Sequence, residues 1–266
     1  FGFHQVRTDV HGKVVQRPGM ARSLDGGETW TIEWPEALAA PPESAKRQSL
    51  QPIDFDAPGF CMTLRMSRIS GGKSRVFYSA DHGHTWTCPY RLPLLQKRGV
   101  MARTDYIVEG PESALVFLTA AKADGREGRP FCAATENGGQ HWVFRGWIGR
   151  EPGDDEFSIM PSSVRLSDGG LITAVRKRQI VESRQQNGIG IYCCGDEGKT
   201  WNCLDVGWAF DDGGKSGNPP HLIRLHDGRL CLTYGYRTEP FEIRAVLADT
   251  ADVLWKEPIV IRSGAA

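Results

Sequence analysis

Ser23-Leu24-Asp25-Gly26-Gly27-Glu28-Thr29-Trp30 is the stretch on which the reading of this chain turns, because it keeps returning. Ser79-Ala80-Asp81-His82-Gly83-His84-Thr85-Trp86 is a second full copy, and Thr135-Glu136-Asn137-Gly138-Gly139-Gln140-His141-Trp142 a softened third. Cys194-Gly195-Asp196-Glu197-Gly198-Lys199-Thr200-Trp201 has lost only its leading hydroxyl, and a degenerate fifth from Ala248 keeps little beyond Trp255. The tryptophans at 30, 86, 142, 201 and 255 are separated by 56, 56, 59 and 54 residues. A fixed period of this length marks stacked supersecondary units.

Each octapeptide follows an apolar, strand-like run, such as Arg75-Val76-Phe77-Tyr78 or Ile189-Gly190-Ile191-Tyr192. Its Asp or Asn can accept bonds from backbone N–H groups a few residues on, and its glycines tolerate positive φ. The Thr-Trp pair then restarts a strand, where β-branched and aromatic residues fit a half-buried pleat. Each copy is read as a hairpin turn pinned by its own side chain, with tryptophan as packing anchor.

The first two copies fit Ser/Thr-x-Asp-x-Gly-x-Thr-Trp at every fixed position, the pattern of the Asp-box or bacterial neuraminidase repeat. The chain thus resembles the sialidase superfamily of β-propellers. The resemblance implies an all-β fold of four-stranded blades, six when the ring is complete, with about five represented here. It makes residues 1–266 one propeller domain, incomplete at one or both ends. It also puts the repeated turns on the outer rim, away from the active site.

Composition agrees with an all-β array and excludes other classes. The 266 residues include 31 glycines and 16 prolines, with few stretches of helical periodicity, which suits many turns. Lys+Arg equals Asp+Glu at 32 each, so no net field attracts nucleic acid or an anionic membrane, and no apolar run is long enough to span a bilayer. Seven cysteines at 61, 88, 132, 193, 194, 203 and 231 show no metal spacing. They are expected to be mostly reduced thiols, which favours a cytoplasmic location. Phe1 is not an initiator methionine, which is consistent with removal of an upstream segment such as a signal peptide. Neither a metal nor an organic cofactor is implied, and the oligomeric state is not legible.

Residues 1–36 read as the later strands of one blade, and the linker Pro35 to Ser49 holds at most a short helix before Pro41-Pro42. Val164–Leu171 aligns with Ile223–Leu230 at a displacement of 59, each a strand, an Asp-Gly hairpin and a second strand. At that displacement Arg178 meets Arg237. Arginines therefore recur where inner strands leave the centre: Arg7, Arg65 or Arg68, Arg176 or Arg178, and Arg237, with Lys122 in the third unit. Guanidinium groups converging without acids repel one another, and a bidentate anion between them resolves the repulsion.

Sialidases hold the sialic acid carboxylate with such a cluster. Arg176 resembles a triad arginine, Arg237 (or Arg244) the later one, and Glu156 the glutamate ahead of the strand; the family's Phe-Arg-Ile-Pro arginine would lie upstream of Phe1. Arg7 and Asp9 occupy places comparable to the early arginine and the acid/base aspartate, with His11 a competitor. The nucleophile in that family is a tyrosine activated by a glutamate, because a phenol is a weak nucleophile at neutral pH. Tyr236, Tyr234 and Tyr106 are the candidates here, and Asn218 or His221 could be presented to a sugar by a stiff Asn-Pro-Pro-His segment.

The first expectation is an exo-glycosidase acting on an acidic, sialic acid-type sugar or glycan. The alternatives are a lyase of uronate-containing polysaccharides, with His11, His221 or Tyr236 as base, and a non-catalytic carbohydrate-binding propeller.

Overall fold

The computed structural model describes residues 2–39, 51–66, 72–87, 89–204, 219–249 and 254–264. Among these, the chain builds five antiparallel sheets in sequence order, arranged as the blades of a β-propeller. The first holds β1 (Gly2–Thr8), β2 (Val14–Arg22) and β3 (Thr31–Glu33); the second holds β4 (Cys61–Met66), β5 (Ser74–Ser79) and β6 (Tyr90–Arg91). The third has its inner strand in two pieces, β7 (Val100–Met101) and β8 (Tyr106–Gly110), then β9 (Ser113–Ala121), β10 (Glu127–Thr135) and β11 (Val143–Trp147). The fourth comprises β12 (Phe157–Arg165), β13 (Leu171–Val181), β14 (Arg184–Cys194) and β15 (Asn202–Leu204). The fifth comprises β16 (His221–Arg224), β17 (Leu230–Tyr236) and β18 (Glu242–Asp249), with an outer strand split into β19 (Leu254–Trp255) and β20 (Ile259–Ser263). Among the described residues the one helical element is the 3-10 turn Glu36–Ala39, where the sequence offers a short helix.

The first four octapeptides are the turns between the last two strands of their sheets, and their side chains close them. Ser79 Oγ accepts from Gly83 N–H at 2.8 Å and donates to Asp81 at 2.6 Å, while Asp81 accepts from the N–H and hydroxyl of Thr85. Trp86 Nε1 donates back to Gly83 O at 3.0 Å, and Trp30 and Trp201 repeat this bond to Gly27 and Gly198. In the fourth copy the thiol of Cys194 stands in for the missing hydroxyl, taking Gly198 N–H at 3.1 Å. The hydrogen bonds hold the carboxylates of Asp25, Asp81 and Asp196 well below the usual range.

Burial explains why β9, β10, β13 and β14 carry near-continuous apolar runs: the third and fourth sheets pack against a neighbour on both faces. Phe131, Val116 and Leu118 pack with Met62 and Leu64 between sheets two and three, and Phe117, Leu171 and Trp201 between three and four. Ile172, Ala174, Leu230, Leu232 and Tyr234 fill the space between four and five. Each buried Val, Leu, Ile, Phe or Met side chain among these contributes about 1.5–3 kcal/mol.

Inner strands are also fastened across sheets by side chains that take a neighbour's backbone N–H. Tyr106 Oη accepts from Met62 at 3.2 Å, Thr104 Oγ1 from Leu64 at 3.2 Å, and Ser162 Oγ from Leu222 at 2.9 Å. Asp105 accepts from both the N–H and the hydroxyl of Ser163, and burial pushes its carboxyl up to about 8. Strands β1, β4, β9, β13 and β17 end at the opposite end of their sheets from the octapeptides, and Arg7, Arg65, Arg176, Arg178 and Arg237 lie near those ends.

Candidate active site

The strongest concentration of chemistry lies between the fourth and fifth sheets. Side chains alternate across a strand, so Arg176 and Arg178 share the face of β13 that carries Ile172 and Ala174 towards sheet five. Both guanidinium groups stack on one ring, Phe157 of β12, with carbon-to-centroid distances of 5.2 and 4.7 Å. Arg178 Nε also donates to Asn187 Oδ1 at 3.2 Å, and Arg176 Nη1 meets Met160 Sδ at 3.8 Å. Met160 is held in the left-handed region (φ 55) within the irregularity that interrupts the β12–β13 register between Ile159 and Ser162. A non-glycine residue there stores strain, and such strain gathers at functional positions.

Facing them, β17 and β18 bring Tyr234, Tyr236, Glu242 and Arg244 to the sheet-four side, the face of Leu232 and Val246. Arg244 lies 3.7 Å over the ring of Tyr236, donates to Glu242 Oε2 at 2.7 Å and hydrogen-bonds Tyr234. Glu242 is 7 % exposed and is the direct cross-strand partner of Tyr236, a position where side chains touch. A phenol, a carboxylate and a guanidinium thus form one cluster.

The other predicted residues are distributed differently. Glu156 sits in the loop before β12 with both oxygens committed: Arg150 donates to it, as do the N–H groups of Gly153 and Ile180. These bonds, led by Arg150, bring its carboxyl down to about 2. The same loop is gripped from the third sheet by Lys122, whose Nζ donates to the carbonyls of Gly153, Asp154 and Glu156. Asp9 is exposed in the β1–β2 turn, where Oδ1 accepts from His11 and Lys13 N–H at 2.9 Å. Arg7 is exposed on β1, opposite Val15. Arg237 is exposed just past β17, and His221 is exposed at the start of β16. Tyr106 is spent on its bond to Met62. Arg68, Asn218 and Cys88 lie outside the described residues.

The arginines of β13 lie on the second strand of their sheet, on the face turned towards the fifth sheet. Sequence reasoning missed Phe157, Met160 and Glu242. Only Met160 left a local signal, the following Pro161. Among the described residues no group of three metal-ligating side chains occurs, the six described cysteines are free thiols, and no helix is long and apolar enough to cross a membrane.

No family model matches the chain, and no curated protein matches it. Solved structures do. A protein of unknown function from Dyadobacter fermentans superposes with a TM-score of 0.67 at 18% identity, covering 94% of this chain and 73% of that one. A Hadza microbial sialidase gives 0.60 at 11% identity over 94% of this chain, which spans about half (53%) of that protein. The α-L-arabinofuranosidase of Fusarium graminearum gives 0.56 at 14% identity, covering 84% of this chain and 73% of that one. At these identities the likeness establishes the fold.

Proposed function

We propose that this chain, whose fold is the sialidase-like β-propeller, is a glycoside hydrolase that acts on an acidic sugar through the cleft between its fourth and fifth sheets. The observation that carries the reading is the pair Arg176 and Arg178 stacked on the single ring of Phe157. Two planar cations held side by side offer forked donors to a carboxylate, and the aromatic face fixes their orientation. Tyr236 is the proposed nucleophile, with Glu242, opposite it across the ladder, as the carboxylate that takes the phenolic proton. Asp9, exposed in the first sheet, is the proposed acid for the leaving oxygen. In the first step the glycosidic C–O bond breaks, the leaving oxygen takes the proton of Asp9, and the tyrosine oxygen bonds to the anomeric carbon. Water then loses a proton to the Asp9 carboxylate and bonds to the anomeric carbon as the bond to the tyrosine oxygen breaks, and Glu242 returns its proton to the phenolate. Arg7, Arg68, Arg237 and His221 remain proposed contacts to the rest of the glycan.

The test is release of a fluorescent phenol from a sialoside, with an arabinofuranoside as neutral comparison. Turnover of the sialoside that falls by at least 100-fold in Arg176→Ala and in Tyr236→Phe, each folded as judged by circular dichroism, supports the reading. Preferential turnover of the neutral sugar, or full activity in Arg176→Ala, overturns it.

A further inference from the structure

Three backbone carbonyls meet at one point on the loop that leads into β12. Those of Gly153, Asp154 and Glu156 all accept from Nζ of Lys122, a residue of the preceding sheet, the first and last at 3.1 and 3.0 Å. Carbonyl oxygens brought together repel, and an ammonium group with three donors offsets that repulsion bond for bond. The Lys122 side chain is only 10% exposed, so these carbonyls replace most of its hydration.

The third sheet is shaped to deliver this amine. The Lys122 backbone is closed into the β9–β10 turn, its N–H donating to Arg126 O at 2.8 Å and its carbonyl accepting from Gly125 N–H at 3.0 Å. The stem then crosses Gly128, where the β9–β10 register shifts between Glu127 and Arg129. A Cβ on Gly128 would stand 2.2 Å from Lys122 Cγ and 2.5 Å from Cδ. Only glycine leaves that path open.

From the loop the grip passes directly to the arginine pair. Glu156, whose carbonyl Lys122 holds, also accepts the Ile180 N–H through its carboxylate and so ties the loop to the end of β13. The next residue is Phe157, directly opposite Arg178 across the β12–β13 ladder and the ring on which Arg176 and Arg178 both stack. A stacked guanidinium takes its orientation from the ring beneath it.

We propose that Lys122 is a positioning residue for this pair: acting through the 153–156 loop and Phe157, it sets the orientation in which Arg176 and Arg178 meet a carboxylate. The inference rests on the hydrolase reading for what the arginines hold.

The test compares the wild type with Lys122→Met, which keeps the stem over Gly128 and removes the donors. The sugar carboxylate keeps its charge throughout glycoside cleavage, so arginines that hold it bind ground and transition states alike. Lys122→Met should therefore raise KM for the sialoside by at least about tenfold and leave kcat within about threefold. A residue serving stability alone would lower the folded fraction, cutting apparent kcat at constant KM. The second readout needs no turnover. The Nε–H resonance of Arg178, identified by its loss in Arg178→Lys, should lie upfield under the ring current of Phe157 and return towards the ordinary arginine position in Lys122→Met. If the wild type is inert on the sialoside but this resonance moves, positioning stands and the hydrolase reading falls. A resonance identical in the two proteins, or kcat lost at constant KM, overturns the proposal. Should Lys122→Met fail to fold, Gly128→Ala displaces the stem instead, and the same two readouts decide.

Discussion

Replacing Glu156 by Gln separates a carboxylate that holds a loop from one that moves a proton. Arg150 Nη2 lies 2.7 Å from Oε2 and 2.8 Å from Oε1, Gly153 N–H donates to Oε2 at 2.8 Å, and Ile180 N–H donates to Oε1 at 2.9 Å. Gln can still accept from Ile180, but its NH2 then faces two donors. The carboxyl is held at about 2 against an ordinary 4.5. At about 1.4 kcal/mol per tenfold change in proton affinity, that depression corresponds to about 3 kcal/mol. The Arg150 side chain is 61% exposed, so solvent screening reduces the figure to about 1–2 kcal/mol. Because the folded value is depressed, this stabilisation is fully present above pH 4.5 and is lost as pH falls towards 2. Urea unfolding across that range should show Glu156→Gln weaker by about 1–2 kcal/mol near neutrality, with the difference closing as the wild-type carboxylate protonates. A difference that stays constant with pH refutes the account. On the sialoside, a group already protonated only near pH 2 is a poor base for a phenol. Glu156→Gln should therefore keep the acidic limb of the pH–rate profile and lose less than about tenfold in kcat, whereas Glu242→Gln should abolish turnover. The reverse ranking would return Glu156 to the chemistry.

Three further outcomes are expected. Gly146→Ala should destabilise by about 3 kcal/mol, because a Cβ there would stand 2.0 Å from Lys199 O and 2.7 Å from Gly198 O, both backbone atoms of the next sheet's turn. Gly110→Ala, with nothing within 4 Å, should change stability by no more than about 0.5 kcal/mol in the same denaturation assay; equal effects would dismiss the contact. Asp105→Asn should become stabilising as pH rises. The folded carboxyl sits near 8 against 3.8, so the folded state binds its proton more tightly and wild-type stability falls across that interval. A melting-point difference between the two proteins that is flat from acid to alkaline pH would contradict this. Cys194→Ser should restore the hydroxyl found at Ser79 and gain up to about 1 kcal/mol, read as a higher urea midpoint; a loss larger than that would mean that packing of the sulfur outweighs the stronger hydrogen bond.

The fold was legible because the octapeptide is self-contained. Ser79 and Thr85 bond to Asp81, and Trp86 to the Gly83 carbonyl, all within eight residues, so each turn is written locally and its period counts the sheets. Even the loss of Ser in the fourth copy is absorbed locally, by the thiol of Cys194. The site is written differently. Aligning the fourth and fifth units pairs Arg178 with Arg237, yet Arg178 rests on Phe157 inside a cleft while Arg237 is exposed beyond its strand. What separates them is their cross-strand surroundings, and the break in the β12–β13 register around left-handed Met160 is not encoded in either arginine's neighbours.

Glutamate shows the same limit more sharply. Glu156 stands where a glutamate precedes an inner strand, and its sequence context favours it. Lys122, 34 residues earlier, fixes the loop, and Arg150 and two backbone N–H groups then saturate the carboxylate. Glu242 has no distinguishing context, but the β17–β18 ladder sets it against Tyr236, and Arg244 bridges the two. Which carboxylate is free to act is therefore decided by partners distant in sequence, and a carboxylate with one guanidinium partner beside a phenol is better placed for proton transfer than one whose four bonds all serve a loop.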